Sequence, residues 1–272
     1  VPEAGYEIDL LRIRGLDRSN PVRAAGALGL AAAAVPRARK LLAERRAEAV
    51  LGGGGYVAAP AGLAALSLRL PLVLTEADRH LGLANRMLAR RARRVCLAFE
   101  IPGLSGDRYL VTGRPVPAAV LAADRDAARE RFDLEPGRRC LLVFGGSQGA
   151  RSINRVALEA FAGAAGEGRD FAVIHVSGAR DHPEAAATLA SAPHPRAYTL
   201  LEYEPDLAAT LAAADLVLAR SGGSIFEIAA AGDPAILVPY PYAAGRHQHA
   251  NAAWMADAGA AVVIEDDELD PA

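Results

Sequence analysis

The feature that most limits what this chain can fold into is an alternation. Short apolar, β-type runs are separated along nearly all 272 residues by Ala/Leu/Arg-rich stretches of helical composition. Strand followed by helix, repeated, is the signature of βαβ units and parallel sheets. In the first half the runs predict strands at residues 7–13, 49–52, 72–75, 94–98 and 108–111, with helices at 21–48, 58–68 and 82–91. Pro36 is expected to kink or divide the first helix. In the second half strands are predicted at 140–144, 171–176, 197–200, 216–219, 235–238 and 261–264. Helices fill 150–162, 184–190, 206–213, 224–231 and 248–258. The fold class is α/β.

A seam lies between Gly113 and Gly137, where Gly-Arg-Pro-Val-Pro is followed by a charged helix and the turn Glu135-Pro136-Gly137. Two Rossmann-like domains, residues 1–117 and 118–272, are the simplest division, and the length suffices for two cores. A formal net charge of -2 gives no field for nucleic-acid binding. Cys96 and Cys140 each sit beside an apolar run and read as isolated buried thiols of a reducing compartment. No Cys/His grouping has metal-ligand spacing: His247 and His249 lack a third partner. The longest apolar run, Leu28 to Val35, falls short of the roughly 20 residues of a spanning helix. The first residues have no signal-peptide pattern. The chain opens without Met and stops at Asp270-Pro271-Ala272, so it is read as part of a longer one.

Three loops carry the chemistry. After residues 140–144 comes Gly145-Gly146-Ser147-Gln148-Gly149 and then a helix, an arrangement that suits a pyrophosphate. Glycine also closes many tight strand–helix turns, and the loop matches neither the Walker nor the dinucleotide fingerprint. After residues 216–219 comes Arg220-Ser221-Gly222-Gly223-Ser224, with Ile225 and Glu227 on the next helix. Ser224 and Glu227 can form a capping box; alternatively the Glu227 carboxylate accepts hydrogen bonds from a ribose diol. The third loop, Pro239 to Tyr242, leads to Gln248 and Asn251, three apart on one helix face. Their amides suit sugar hydroxyls or form an ordinary polar first turn.

Together, Gly-Gly-Ser-Gln-Gly-Ala-Arg (145–151), Arg-Ser-Gly-Gly-Ser…Glu-Ile-Ala-Ala-Ala-Gly (220–232) and His-Gln-x-x-Asn-Ala (247–252) resemble the MurG family in order and spacing. So do Gly-Gly-Tyr-Val-Ala-Ala-Pro-Ala-Gly-Leu-Ala-Ala (54–65), Pro-Leu-Val-Leu-Thr-Glu (71–76) and Leu83-x-Asn85. The resemblance covers nearly the whole chain. It implies the GT-B fold, with two parallel-sheet domains facing a cleft, and an inverting transfer of N-acetylglucosamine from UDP-GlcNAc to a lipid-linked muramyl-pentapeptide in peptidoglycan synthesis. By position it assigns Gly145, Gly146, Ser147, Gln148, Glu204, Gly222, Gly223, Ser224, Ile225, Glu227, Gln248 and Asp78 to the donor. Gly54, Gly55, Tyr56, Glu76 and Asn85 go to the acceptor side. No cofactor and no metal are implied. The enzyme is expected on the cytoplasmic face of the membrane, held peripherally by an apolar patch at Leu28, Leu30 and Val35 rimmed by Arg23, Arg37 and Arg39. The same run also reads as an ordinary helix packed on its sheet.

The chain departs from the family in places. Asp78 stands where an asparagine is expected, and Pro117 where the interdomain segment usually ends in arginine. The family's first strand, first glycine loop and candidate base belong upstream of Val1, so no catalytic residue is assigned. His80 is read as a surface residue. The chain is therefore expected to bind donor but to turn over little substrate. The alternatives are a GT-B transferase with a different acceptor and a non-catalytic UDP-sugar-binding fragment.

Overall fold

Asn20 starts the first helix, α1 (Pro21–Glu44), in the computed structural model: its side chain accepts the Val22 and Arg23 N–H groups, while Pro21 fills the first helical position. The structure describes residues 2, 5–15, 20–146, 148–162, 171–192, 198–243 and 246–271. The helix continues through Pro36 rather than dividing there. Its buried residues are alanines (Ala27, Ala34 and Ala38), a stripe small enough to let α2 (Gly55–Ser67) pack closely against it.

The chain forms two units, Val1–Arg114 and Pro115–Ala272. The first holds β1 (Val50–Gly52), β2 (Leu72–Glu76), β3 (Arg94–Leu97) and β4 (Tyr109–Val111), parallel and in that order. Helix α3 (Leu83–Leu88) connects β2 to β3 and packs on α2. Along β2 the side chains alternate, so Leu72, Leu74 and Glu76 share the buried face, and the two leucines join Leu88, Val95 and Leu97 in the core.

Residues 7–13 do not form the expected strand. Ile8 and Leu10 have the right alternation but remain exposed, and no described strand pairs with them. The segment is tied down by ion pairs from Glu7 and Asp9 to Arg45. Periodicity supplies one face of a strand; a ladder also needs a neighbouring edge to accept its backbone.

The second unit begins with α4 (Ala118–Ala122) and α5 (Arg125–Arg131). It continues β5 (Arg139–Phe144), α6 (Arg151–Ala157) with a π-helical turn at Leu158–Ala162, β6 (Phe171–Val176) and α7 (His182–Ala190). Then come β7 (Tyr198–Leu201), α8 (Leu207–Ala213), β8 (Leu216–Ala219), α9 (Ile225–Ala231), β9 (Ala235–Leu237), α10 (His247–Asp257) and β10 (Ala261–Val263). All six strands are parallel, in the order β10-β9-β8-β5-β6-β7. From β5 the chain steps outward through β6 and β7, then returns to β8 on the other side. That reversal opens a crevice between β5 and β8 at their carboxyl ends, where open α/β sheets bind ligands.

The opposite end of this sheet is fastened. Arg125 donates to the Ala212 and Ala214 carbonyls and pairs with Asp215 at 2.6 Å, and Asp215 in turn accepts the Cys140 N–H at 2.7 Å. Burial, with Asp215 close by, pushes the Cys140 thiol up to about 12, which makes it an inert core group.

Candidate functional site

The loops after β5, β8 and β9 meet at the carboxyl ends of the second sheet. Gly149 has φ 74°, and a Cβ there would lie 2.1 Å from the Ser177 carbonyl oxygen. Only glycine fits, because the β5–α6 turn presses on the loop after β6. Gly146 also has positive φ, 93°, but faces open space. Its backbone is therefore open to close approach by a ligand. Gln148 beside it is exposed, and Ser147 lies outside the described residues.

Arg220, nearly buried just past β8, fastens these loops together. Its guanidinium donates to the Val238 and Pro239 carbonyls at 3.2 Å each and to Ser152 Oγ at 2.9 Å, and pairs with Asp266 at 2.6 Å. Ser152 in turn donates to Asp266 at 2.6 Å. One side chain thus joins the end of β8, the end of β9, the first turn of α6 and the segment after β10. The next residue, Ser221, donates to the Gln248 carbonyl at 2.8 Å, and its own carbonyl accepts from the Asn251 amide at 3.0 Å. Gln248 Oε1 accepts the Tyr240 N–H at 2.9 Å, and a Cβ on Gly222 would sit 3.9 Å from Gln248 Nε2. The loop that begins Ser221-Gly222 is therefore brought against Gln248.

Ser224 does not cap α9 with its side chain. Its backbone is already helical (φ -62°, ψ -13°), whereas a capping hydroxyl needs an extended residue to reach the free N–H groups. Of the two readings open for Ser224 and Glu227, the capping box therefore lacks its Ser224 half. Glu227 stands in the first turn of α9. Glu204 is occupied structurally: its carboxylate accepts the Asp206 N–H and pairs with Arg131, both at 2.7 Å.

Under the glycine loop lies a polar network that the sequence did not reveal. Asn154 Nδ2 donates to the Ser177 carbonyl at 2.8 Å and to Asp181 at 3.2 Å, both obligate acceptors, so its Oδ1 faces His175 Nε2 at 2.9 Å. His175 must then donate from Nε2 and accept the Tyr198 hydroxyl on Nδ1, at 2.7 Å. Burial lowers His175 to about 4 and raises Tyr198, so both are neutral. The Arg180 guanidinium, bonded to Asp181, holds that carboxyl below its ordinary value. The network fixes α6 and the β6–α7 loop, and with them the glycine turn.

In the first unit, Gly54, Gly55 and Tyr56 lie between β1 and the first turn of α2. Glu76 ends β2 with its carboxylate buried. It accepts the N–H groups of Ala77, Asp78 and Gly82 and, at 3.0 Å, the Asn85 amide. Asn85 also donates to the Thr75 carbonyl at 2.9 Å. The Glu76 carboxylate and the Asn85 amide nitrogen shape the loop of residues 77–82, while Asn85 Oδ1 is buried without a hydrogen-bond partner among the described residues, and Asp78 is half-buried within that loop. Arg39 of the expected basic rim bonds Ser67.

Residues 1–97 match the glycosyltransferase family 28 N-terminal domain, and residues 140–272 the family 28 C-terminal domain. A relative from Acidithiobacillus ferrooxidans is 41% identical over 274 residues, covering 99% of this chain and 73% of the relative. One from Halothermothrix orenii is 35% identical over 283 residues, covering 99% and 75%. Both bear the name UDP-N-acetylglucosamine–N-acetylmuramyl-(pentapeptide) pyrophosphoryl-undecaprenol N-acetylglucosamine transferase. The crystal structure of Acinetobacter baumannii MurG superimposes with a TM-score of 0.75 at 29% identity, covering 99% of this chain and 75% of that one. This chain belongs to the MurG family.

Four of the segments through which it resembles the MurG family (54–65, 145–151, 220–232 and 247–252) sit where strands hand over to helices at the carboxyl ends of the sheets. Of the other two, 71–76 is Pro71 followed by β2, and Leu83-x-Asn85 opens α3. Sequence reasoning passed over Ser152, Asn154, His175 and Asp266 as functional supports. The available signal was an arginine directly after an apolar strand, and a histidine inside one. Among the described residues no group of three or more His, Cys, Asp or Glu could hold a metal, and no helix is long and apolar enough to cross a membrane.

Proposed function

We propose that this MurG-family chain is a UDP-GlcNAc-dependent hexosyltransferase that passes N-acetylglucosamine to an undecaprenyl-pyrophosphoryl-MurNAc-pentapeptide in peptidoglycan synthesis. The observation that carries the reading is the assembly of three motif loops around the β5–β8 crevice, in a chain whose relatives at 35–41% identity bear that transferase's name.

In this reading the diphosphate lies against the Gly145–Gly146 backbone, Glu227 accepts the ribose hydroxyls, and Gln248 reaches the diphosphate or the hexose. Ser147, Gln148, Gly222, Gly223, Ser224 and Ile225 line the same pocket, and the backbone at Glu204 meets the base. Gly54, Gly55 and Tyr56 serve the acceptor, with Glu76 and Asn85 shaping the loop beside them. The acceptor hydroxyl attacks the anomeric carbon, its proton passes to a base, and the sugar–phosphate bond breaks with UDP leaving. Rate comes from positioning and from N–H groups aimed at the charge growing on the diphosphate. UDP-GlcNAc is a substrate, and the reading calls for no cofactor. The lipid-linked acceptor and the exposed Leu28 and Leu30 of α1 support peripheral attachment to the cytoplasmic membrane face.

The test is a single-turnover assay with protein in excess over labelled UDP-GlcNAc and a soluble lipid-linked muramyl-pentapeptide analogue. Label appearing on the acceptor with stoichiometric UDP is the expected result. Label that stays on UDP while the donor binds normally would reduce the protein to a UDP-sugar-binding module.

A further inference from the structure

Helix α2 lies between α1 and α3, and the three helices line a groove to which α2 gives small residues together with the larger, exposed Tyr56 and Leu63. Gly55, Ala59 and Pro60 form the floor of a groove of about 380 Å³. Leu28 and Ala32 of α1 wall one side, and Leu83 and Met87 of α3 the other. Leu28 is 60% and Met87 54% exposed, a large apolar exposure for side chains that could have turned inward. Arg14 is the one charged residue among the described residues that line the groove.

We infer that this groove is a subsite for the isoprenoid chain of the acceptor, taking the units next to the diphosphate. The inference rests on the transferase reading and deepens it. Two observations fix the occupant. Gly55 and Tyr56 belong both to the groove and to the loop given to the acceptor, so a chain leaving a diphosphate at Gly54–Gly55 enters the groove directly. The lining is hydrocarbon with a single cation, which complements a branched hydrocarbon carrying an anionic head and would suit a sugar or peptide poorly. A surface that merely rested on a bilayer would need a convex apolar patch; this one is concave. Floor residues without long side chains leave room for the methyl branches of an isoprenoid.

The experiment titrates the protein, below any micelle-forming concentration, with inorganic pyrophosphate and with isopentenyl, geranyl and farnesyl diphosphate. Affinity should rise with chain length, by about tenfold or more from isopentenyl to farnesyl, because each buried methylene adds to binding. Ala59→Phe, which fills the floor, and Leu28→Asn, a change at an exposed wall position that leaves the fold alone, should each flatten that rise while sparing inorganic pyrophosphate. Equal affinities for the three isoprenyl diphosphates would overturn the subsite. So would variants that keep the full rise but lose binding to phosphatidylglycerol vesicles, since that pattern describes bilayer contact. UDP-GlcNAc binding, measured on the same samples, reports on the transferase reading alone; its absence would sink that reading while leaving the chain-length dependence to be judged by itself.

Discussion

The two units use the same strand–loop–helix design, yet treat polar side chains in opposite ways. In the second unit, buried polar side chains under the loops tie several segments together: Arg220 joins four of them, and Asn154 with His175 and Tyr198 holds the glycine turn from below. The loop surface above is left as backbone and amide. In the first unit, Glu76 and Asn85 are spent on one short loop, and the helices beside it present apolar side chains outward. A nucleoside diphosphate needs fixed donors and a rigid cradle. A lipid-linked acceptor needs hydrocarbon surface next to a small polar loop. In the proposed reading, each unit takes the substrate half whose chemistry it matches.

The largest expected effect comes from breaking the Arg220 hub. Arg220→Ala leaves Asp266 and two carbonyls without their partner, and should cost about 4 kcal/mol of stability in the second unit together with UDP-GlcNAc binding. Arg220→Lys should recover little, since one ammonium cannot span the same fork. Urea melts in which Arg220→Ala behaves like wild type would show that the hub is incidental.

Why that hub escaped sequence reasoning is physical. Buried strands such as Leu141–Phe144 are legible because burial writes a continuous apolar run, and the glycines after it mark the turn. Arg220 acquires meaning only from Ser152, Val238 and Asp266, and the Ser152–Asp266 contact spans 114 positions. Local pattern also has limits in two places. The Ser224-to-Glu227 spacing fits a capping box, but Ser224 is already helical; the Ile8/Leu10 alternation fits a strand that finds no partner. The motif loops themselves were legible, whereas the supports beneath them were not.

The next effect, about 3 kcal/mol, is a pH dependence. His175 is held at about 4, below its unfolded value, so the unfolded chain binds more protons between about 4 and 6.5. Stability of the second unit should be full above that window and fall as pH drops through it. His175→Gln should flatten the profile there, and parallel profiles for the two proteins would exclude the network as the cause.

Glu76→Ala sharpens the comparison from the other side. Losing a buried acceptor for three N–H groups and an amide should cost about 2 kcal/mol in the first unit. Hydrogen exchange should accelerate across residues 72–88 and stay unchanged across 139–263. Faster exchange in both regions would mean that the units are not independent.

The smallest effect concerns Asp233, raised to about 6 by burial, with one carboxylate oxygen buried and unpartnered among the described residues. Here the folded state binds the extra proton, so stability is lost as pH rises from about 4 to 6. Asp233→Asn should therefore raise stability at pH 7 by about 1 kcal/mol, discounted for partial exposure, and change little at pH 4. A variant no more stable at neutral pH would show that water already solvates that carboxylate.

The central claim, that the second unit's crevice holds UDP-GlcNAc through Glu227, is tested most directly by calorimetric titration of UDP-GlcNAc into wild-type protein and Glu227→Gln. Removing the charge from a carboxylate that accepts ribose hydroxyls should weaken binding by about 1–3 kcal/mol, with the fold intact by circular dichroism. UDP-glucose should bind wild type more weakly than UDP-GlcNAc. Unchanged affinity in a folded Glu227→Gln protein, or no UDP-GlcNAc binding by the wild type, would contradict the account.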